Sequence, residues 1–314
     1  MVPDRNHTSP AIFILFGFSE YPEFQTLLFL LFLAIYMTSV MGNLGMITII
    51  AMNSKLHTPM YFFLKHLSFV DFCYSTIVTP KLLENLVAED RTMYISTCIT
   101  QFFFFAACAF IDTFMLAVMA YDRFVAICKP LLYMVIMSQK NCVLLMAAAY
   151  SWGILFSLLL TNSLLTLSFC GTSIIDNFMC DYSSILYTAC SDKHFCELIL
   201  LIFANFTMLS TLIVIISSYI FIFVTVMKMH SVRARHKAFS TCASHLTAVG
   251  IFYGTVLFLY CIPNTQSSWF TIKVGSVFYT VIIPMLNPLI YSLRNNEVKD
   301  TIRKLMGKND FSVN

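Results

Sequence analysis

Long stretches without a charged side chain dominate the chain. No Asp, Glu, Lys or Arg occurs from Phe24 to Ser54, from Thr92 to Ile111, or from Asn141 to Ile175. The same holds from Leu198 to Met227, from Ala238 to Ile272, and from Val274 to Leu293. A helix needs about 20 mostly apolar residues to cross the hydrocarbon core of a bilayer. Each run therefore predicts a span, and the third continues past Asp112 to about Cys128. A further span is predicted at roughly 58–86, with Asp71 inside it. The expectation is an all-α membrane protein, a bundle of seven transmembrane helices over 24–293. A segment 1–23 precedes it, and a tail 294–314 follows.

Composition supports this picture. The chain is 59% hydrophobic and 11% charged, whereas soluble domains carry about 25% charged residues. That is too little charge to cover a surface facing water, so lipid is the expected solvent over much of it. A net charge of +3 does not point to nucleic acid. The placement of charge says more. With the N-terminus outside, the cytoplasmic side holds Lys55, Lys65, Arg123, Lys129, Lys140, Lys228, Arg233, Arg235, Lys237, Arg294, Lys299, Arg303, Lys304 and Lys308. The other side holds Arg5, Lys81, Arg91, Lys193 and Lys273, along with Glu89, Asp90, Asp176, Asp181 and Asp192. Basic residues favour the cytoplasmic side, so 1–23 is expected to be extracellular and 294–314 cytoplasmic.

The first 23 residues include Asp4, Arg5, Glu20 and Glu23 and lack an apolar core after a basic start. No cleaved signal peptide is visible, and the first span is expected to act as the targeting signal. Asn6-His7-Thr8 is a glycosylation sequon. Cys98, Cys170, Cys180 and Cys190 fall at or near the expected outer face, where disulfides form. Four cysteines allow three pairings, among which sequence does not choose. Cys73, Cys108, Cys128, Cys142 and Cys242 read as small apolar residues within or near spans. After the last span, Val298, Ile302, Leu305 and Met306 recur at helical spacing beside Arg303 and Lys304. A short amphipathic helix on the inner membrane surface is expected over 295–308.

Motifs narrow the class. Gly42-Asn43 lies in span one, and Leu56-His57-Thr58-Pro59-Met60-Tyr61-Phe62-Phe63-Leu64 enters span two. Met119-Ala120-Tyr121-Asp122-Arg123-Phe124-Val125-Ala126-Ile127-Cys128 closes span three, and Ser218-Tyr219 lies in span five. Lys237-Ala238-Phe239-Ser240-Thr241-Cys242-Ala243-Ser244-His245 opens span six, and Pro284-Met285-Leu286-Asn287-Pro288-Leu289-Ile290-Tyr291-Ser292 closes span seven. In this order the set resembles the olfactory receptors, a branch of the rhodopsin-like G-protein-coupled receptors, over nearly the whole chain. Three positions depart from the usual pattern: Phe124 replaces tyrosine, Leu132 replaces histidine, and Asp112 replaces glutamate.

The resemblance implies site residues. Phe105, Ala106, Ala109, Phe110, Phe203, Thr207, Val256, Leu257, Tyr260, Val277 and Thr280 would surround a ligand pocket. Such a lining suits a small hydrophobic molecule with one hydrogen-bonding group. Phe105 stands where amine receptors carry aspartate, which disfavours a charged amine. Asp122, Arg123, Tyr219, His245, Tyr253, Asn287 and Tyr291 would form the switch and G-protein-coupling region. Cys98 would pair with Cys180, and Cys170 with Cys190.

Asp71 and Asp112 are charges at membrane depth, and such residues are functional candidates. Two neighbouring carboxylates cannot both ionise cheaply in low dielectric without a counter-cation. A sodium ion with hard oxygen ligands is one reading. A protonated, hydrogen-bonded pair is the other. No other cofactor is expected.

The expected function is that of an odorant receptor in the plasma membrane. It would bind a small volatile organic ligand and activate a heterotrimeric G protein of the stimulatory or olfactory type, raising cyclic AMP. A rhodopsin-like receptor for another small ligand, or for a peptide or hormone, is the nearest rival. A transporter or channel would need repeated halves or a polar path, and neither is evident. An intramembrane aspartyl hydrolase would need accompanying motifs that are missing, so no enzyme activity is expected. A retinal pigment is disfavoured because Val274–Leu293 holds no lysine.

The orientation makes a prediction. Glycosidase treatment should shift the gel mobility of the protein made in mammalian cells, and Asn6→Gln should abolish that shift. An N-terminal tag that stains only after permeabilisation would show the opposite topology.

Overall fold

The computed structural model describes residues 12–18, 22–169, 173–261, 269–294, 298–299 and 301. Seven long helical spans form the body. They are α1 (Gln25–Met52), α2 (Pro59–Val87), α3 (Ile95–Cys128), α5 (Gln139–Leu165), α7 (His194–Met227), α8 (Val232–Cys261) and a broken last span. That last span runs through α9 (Trp269–Val277), a π-helical turn (Phe278–Ile282) and α10 (Ile283–Arg294). Two short helices, α4 (Tyr133–Ile136) and α6 (Tyr182–Tyr187), lie between spans. Six of the spans are long and apolar enough to cross a membrane. The other, α2, is just as long but carries Lys65, Asp71, Lys81 and Glu84.

The polarity of the helices is inverted relative to a soluble bundle. In α7 the buried stripe includes Thr207, Thr211 and Ser218, while Ile213, Ile216, Ile220 and Phe223 point outward. A helix buries its less lipid-soluble face when hydrocarbon is its solvent, since lipid tails are as apolar as leucine. α3 is the central element, packed against α2, α5, α7 and α8, while α1 packs on α2 and α10.

The proline break in the last span is repaired by a neighbouring span. Pro288 lies inside α10 and has no N–H for the carbonyl four residues back. Asn43 Nδ2 on α1 donates to that carbonyl, Pro284 O, at 3.0 Å. The contact is close, because a Cβ on Gly42 would lie 3.1 Å from Pro288 Cγ. The Gly42-Asn43 pair thus serves one joint: the glycine admits the proline ring and the asparagine satisfies the freed carbonyl. Near Pro80 in α2, Gln101 Nε2 donates to Ile77 O at 3.1 Å.

One end of the bundle is closed by a three-stranded sheet that sequence patterning did not suggest. β1 (Ile12–Leu15) is central, antiparallel to β2 (Thr92–Tyr94) and parallel to β3 (Ser173–Ile175). β1 alternates half-buried and buried residues, with Phe13 and Leu15 turned into the core. Cys98 is bonded to Cys180, tying the first turn of α3 to the loop that follows β3. Cys190 is also disulfide-bonded; its expected partner Cys170 lies outside the described residues, as do Asn6 and all of 302–314. Of the amphipathic helix expected over 295–308, residues 298–299 and 301 are described and helical. Val298 is buried, and Thr301 Oγ1 accepts from Asn53 Nδ2 at 2.8 Å.

Candidate functional site: a cavity at the sheet end and an arginine cluster at the other

A cavity of about 690 Å³ opens among α2, α3, α7, α8 and α9 toward the sheet end of the bundle. α3 supplies Phe102, Phe105, Ala106, Ala109, Phe110 and Thr113 to its wall. α7 adds Glu197, Leu200, Leu201, Ala204, Thr207 and Met208, and α8 adds Phe252, Val256 and Leu259. Tyr74 of α2 packs on Phe105, with ring centroids 5.2 Å apart, and Tyr279 in the π-helical turn lines the same space.

Of the residues expected here, Phe105, Ala106, Ala109, Phe110, Thr207 and Val256 line the cavity. Phe203, Leu257, Val277 and Thr280 do not. Phe203 packs on Phe156 with centroids 5.0 Å apart. Leu257 is 52% exposed on the outer face of α8. Val277 is buried elsewhere, and Thr280 Oγ1 donates to Ser276 O at 2.7 Å. The side chain of Tyr260 lies outside the described residues. In α8 and α9 the expected positions miss by a residue or so: Leu259, Ser276 and Tyr279 take the places. Each residue turns a helix by about 100°, so a small error of phase moves a side chain out of a wall.

Lys273, expected on the outer side but not as a site residue, sits in α9, is 4% exposed and lines the cavity. Its Nζ donates to Asp176 Oδ1 at 2.6 Å and to Gly17 O at 2.7 Å, and lies 6.0 Å from the centre of the Phe18 ring. Gly17 follows β1 with φ of +52°, a left-handed conformation that suits glycine. Asp176 follows β3 directly. The ammonium therefore joins the last span to two strands of the sheet. A lysine is thus present in span seven after all, in the first turns of α9 and engaged with Asp176.

The aspartates lie midway along the bundle. Asn287 Nδ2 donates to Asp71 Oδ2 at 3.0 Å and Oδ1 at 3.3 Å. Ser75 Oγ donates to Asp71 O at 2.9 Å, and Ser39 Oγ donates to Ser75 Oγ at 3.3 Å. Asp112 is buried, interacts electrostatically with Asp71, and its Oδ1 has no hydrogen-bond partner among the described residues.

At the far end of α3, Arg123 is buried. Tyr219, Cys242, His245 and Tyr291 lie within electrostatic reach of its guanidinium. His245 Nε2 is 3.0 Å from Leu116 O, and its Nδ1 is 2.7 Å from Tyr219 Oη. A carbonyl can only accept, so Nε2 carries the hydrogen, and Nδ1 of the neutral ring accepts from the tyrosine. The ring thus joins α8 to α3 and α7. Tyr253 Oη donates to Thr211 Oγ1 at 2.7 Å, a second tie between α8 and α7. Asp122 accepts from Tyr133 Oη of α4 at 2.9 Å. Tyr291 Oη is buried without a hydrogen-bond partner among the described residues.

This geometry has relatives. A family model described as "Olfactory receptor" matches residues 32–309. The chain belongs to the olfactory receptor family. It is 58% identical to Olfactory receptor 5D18 of Homo sapiens, over 99% of each chain. It is 59% identical to Olfactory receptor 5D13 of Homo sapiens, over 98% of each. It is 56% identical to Olfactory receptor 1165 of Mus musculus, over 96% of this chain and 95% of that one. In fold it is similar to squid rhodopsin, with a TM-score of 0.74 at 14% identity, covering 91% of this chain and 86% of that one. This member of the olfactory receptor family is a multi-pass plasma-membrane protein.

The Lys273 tie is testable. Lys273→Met should lower the thermal midpoint of the detergent-purified protein, reflecting a loss of about 1–3 kcal/mol for charged hydrogen bonds. Asp176→Asn keeps an acceptor on a side chain that is 39% exposed and should cost less. An unchanged midpoint in Lys273→Met would show that the tie does not hold the cap in place.

Proposed function

We propose that this chain is an odorant receptor that takes a small, mostly apolar volatile into the α3–α7–α8–α9 cavity and activates a heterotrimeric G protein of the stimulatory type. It has no catalysis of its own in this reading. The observation that carries the reading is the arrangement along α3. Its one half lines an aromatic cavity, and its other half ends in a buried arginine ringed by Tyr219, His245 and Tyr291. Family membership and the rhodopsin fold support it. The sheet end would face outside and the Arg123 end the cytoplasm, in keeping with the bias of basic residues.

A ligand shifts the bundle only by binding one state better than another. In the present state the Tyr219–His245–Leu116 chain holds α7, α8 and α3 together. Parting α7 and α8 would break that chain, free Tyr219 and expose Arg123 to the G protein. Tyr291, buried without a hydrogen-bond partner among the described residues, is placed to join the rearrangement. The test is cyclic AMP in transfected cells challenged with a panel of volatiles. Arg123→Ala should abolish the agonist-driven rise while the receptor stays measurable at the cell surface. A normal response from a well-expressed Arg123→Ala receptor would sink the assigned role.

The pair Asp71 and Asp112 fits a monovalent cation, because among the described residues the second carboxylate has a buried oxygen with no donor and the first carboxylate accepts from Asn287. Sodium there would offset one of the two carboxylate charges, screen the pair's repulsion and favour the state that holds it more tightly. Raising sodium at constant ionic strength should then lower apparent agonist potency, and Asp71→Asn should remove that dependence. Equal effects of sodium and a bulky organic cation on the unmodified receptor would indicate a protonated pair instead.

A further inference from the structure

We propose that the cavity selects uncharged, oxygen-bearing volatiles and that the Thr207 hydroxyl is the group that anchors their oxygen. This rests on the cavity being the odorant site, and adds to it the chemical class of ligand.

Thr207 is 1% exposed, it lines the cavity, and its Oγ1 has no hydrogen-bond partner among the described residues. Threonines in a helix usually dispose of their hydroxyl on the carbonyl one turn back. Thr113 does so on Ala109 O at 2.8 Å, and Thr211 does so on Thr207 O at 2.6 Å. Thr207 does not, and neither do Thr79 and Thr161, but of these three Thr207 alone lines the cavity. A buried hydroxyl without a partner is costly, and native structures tend to keep such groups where something else completes them. The rest of the α3, α7 and α8 walls is hydrocarbon and aromatic ring, apart from Thr113, which is already engaged, and Glu197 in the first turn of α7. On these three walls a ligand would meet one buried hydroxyl without a partner among the described residues, that of Thr207; elsewhere in the lining Tyr74, Ser183, Ser276 and Tyr279 also carry hydroxyls.

Charge at the mouth sharpens the class. The charged side chains that line it are Asp176, Asp181 and Glu197 against Lys193 and Lys273. Lys273 is already committed to Asp176 and Gly17. A carboxylate ligand would meet an excess of acid with its best cation occupied. An ammonium pushed deeper would find no carboxylate on the α3 or α8 wall. A neutral ligand meets neither difficulty. A threonine hydroxyl has one hydrogen to donate and lone pairs to accept. It suits a ketone, aldehyde or ester as donor, and an alcohol in either sense.

The experiment uses the full-length receptor with two readouts, cyclic AMP in cells and the thermal midpoint of purified protein. The probes are medium-chain methyl ketones and the carbon-matched primary alcohols, alkenes, carboxylates and amines. Ketones and alcohols should act and stabilise, and the other classes should be weaker by roughly tenfold or more, the worth of one such hydrogen bond. Thr207→Val should cost the ketones a similar factor and leave the alkenes unchanged, and Thr207→Ser should restore the ketones. Equal potency of ketones on Thr207→Val and the unmodified receptor overturns the anchor. So does an equal loss for ketones and alkenes with a shifted midpoint in the absence of ligand, which marks a structural hydroxyl or a buried water. Carboxylates or amines acting best, or silence of the oxygenated probes in both readouts, overturns the ligand class. Ketones that stabilise the protein without raising cyclic AMP leave the anchor standing and overturn the signalling reading.

Discussion

Hydrocarbon offers no partner to a backbone N–H or C=O, and everything else in this bundle follows from that. Each chain segment that crosses must close its own hydrogen bonds, so it must be helical. Side chains then inherit the problem. Polar groups gather on the inward faces, where other helices can answer them, and the outward faces carry leucine, isoleucine and phenylalanine. Where Pro288 interrupts the ladder, a neighbour completes it. Asn43 does this for Pro284 O in the last span. That asparagine binds α1 to α10 because both would otherwise hold an unsatisfied group, and the bond is specific for the same reason.

The same constraint links the two ends of α3. The Thr207 backbone carbonyl accepts from Thr211, which accepts from Tyr253 on α8. Tyr253 packs with Leu116 of α3 in one small apolar cluster with Ile215 and Val249. Leu116 O in turn accepts from His245, which holds Tyr219 beside Arg123. A contiguous run of hydrogen bonds and packed side chains thus leads from the cavity wall to the arginine. Contiguity alone does not make a signal. What it provides is a set of bonds between α7, α8 and α3 that must all change together if α8 moves, and cooperativity of that kind favours two discrete states over a continuum.

Much of this was legible in the sequence because lipid imposes a simple code. Uncharged runs located the spans, and the α3 positions expected at the wall, Phe105, Ala106, Ala109 and Phe110, do line the cavity, on a helix that is continuous from Ile95 to Cys128. The last span was less legible. A π-helical turn at Phe278–Ile282 offsets the helix faces on its two sides, and Val277 just before it and Thr280 within it lie outside the cavity lining. Nothing in the local pattern announces such a turn. The sheet was invisible for another reason. Its strands come from three distant parts of the chain and are three or four residues long. Their pairing is decided by where the helices end, which no window of sequence contains.

Lys273 shows how depth governs the choice of tie. Within the spans the bundle is joined by neutral donors and acceptors such as Asn43, Gln101, His245 and Tyr253. At the sheet end the ties change in kind, to the Cys98–Cys180 disulfide, a β ladder and the Lys273–Asp176 ion pair. An ionised side chain is expensive at mid-membrane and becomes cheaper toward the interface. A lysine in the first turns of α9 can therefore remain charged, provided an acid from the loop meets it. Read as isolated letters, Lys273 and Asp176 look like ordinary loop charges on the outer side. Only the return of β3 over the bundle brings them together. That pairing neutralises the roof of a cavity whose walls would otherwise be poorly matched to a buried ammonium.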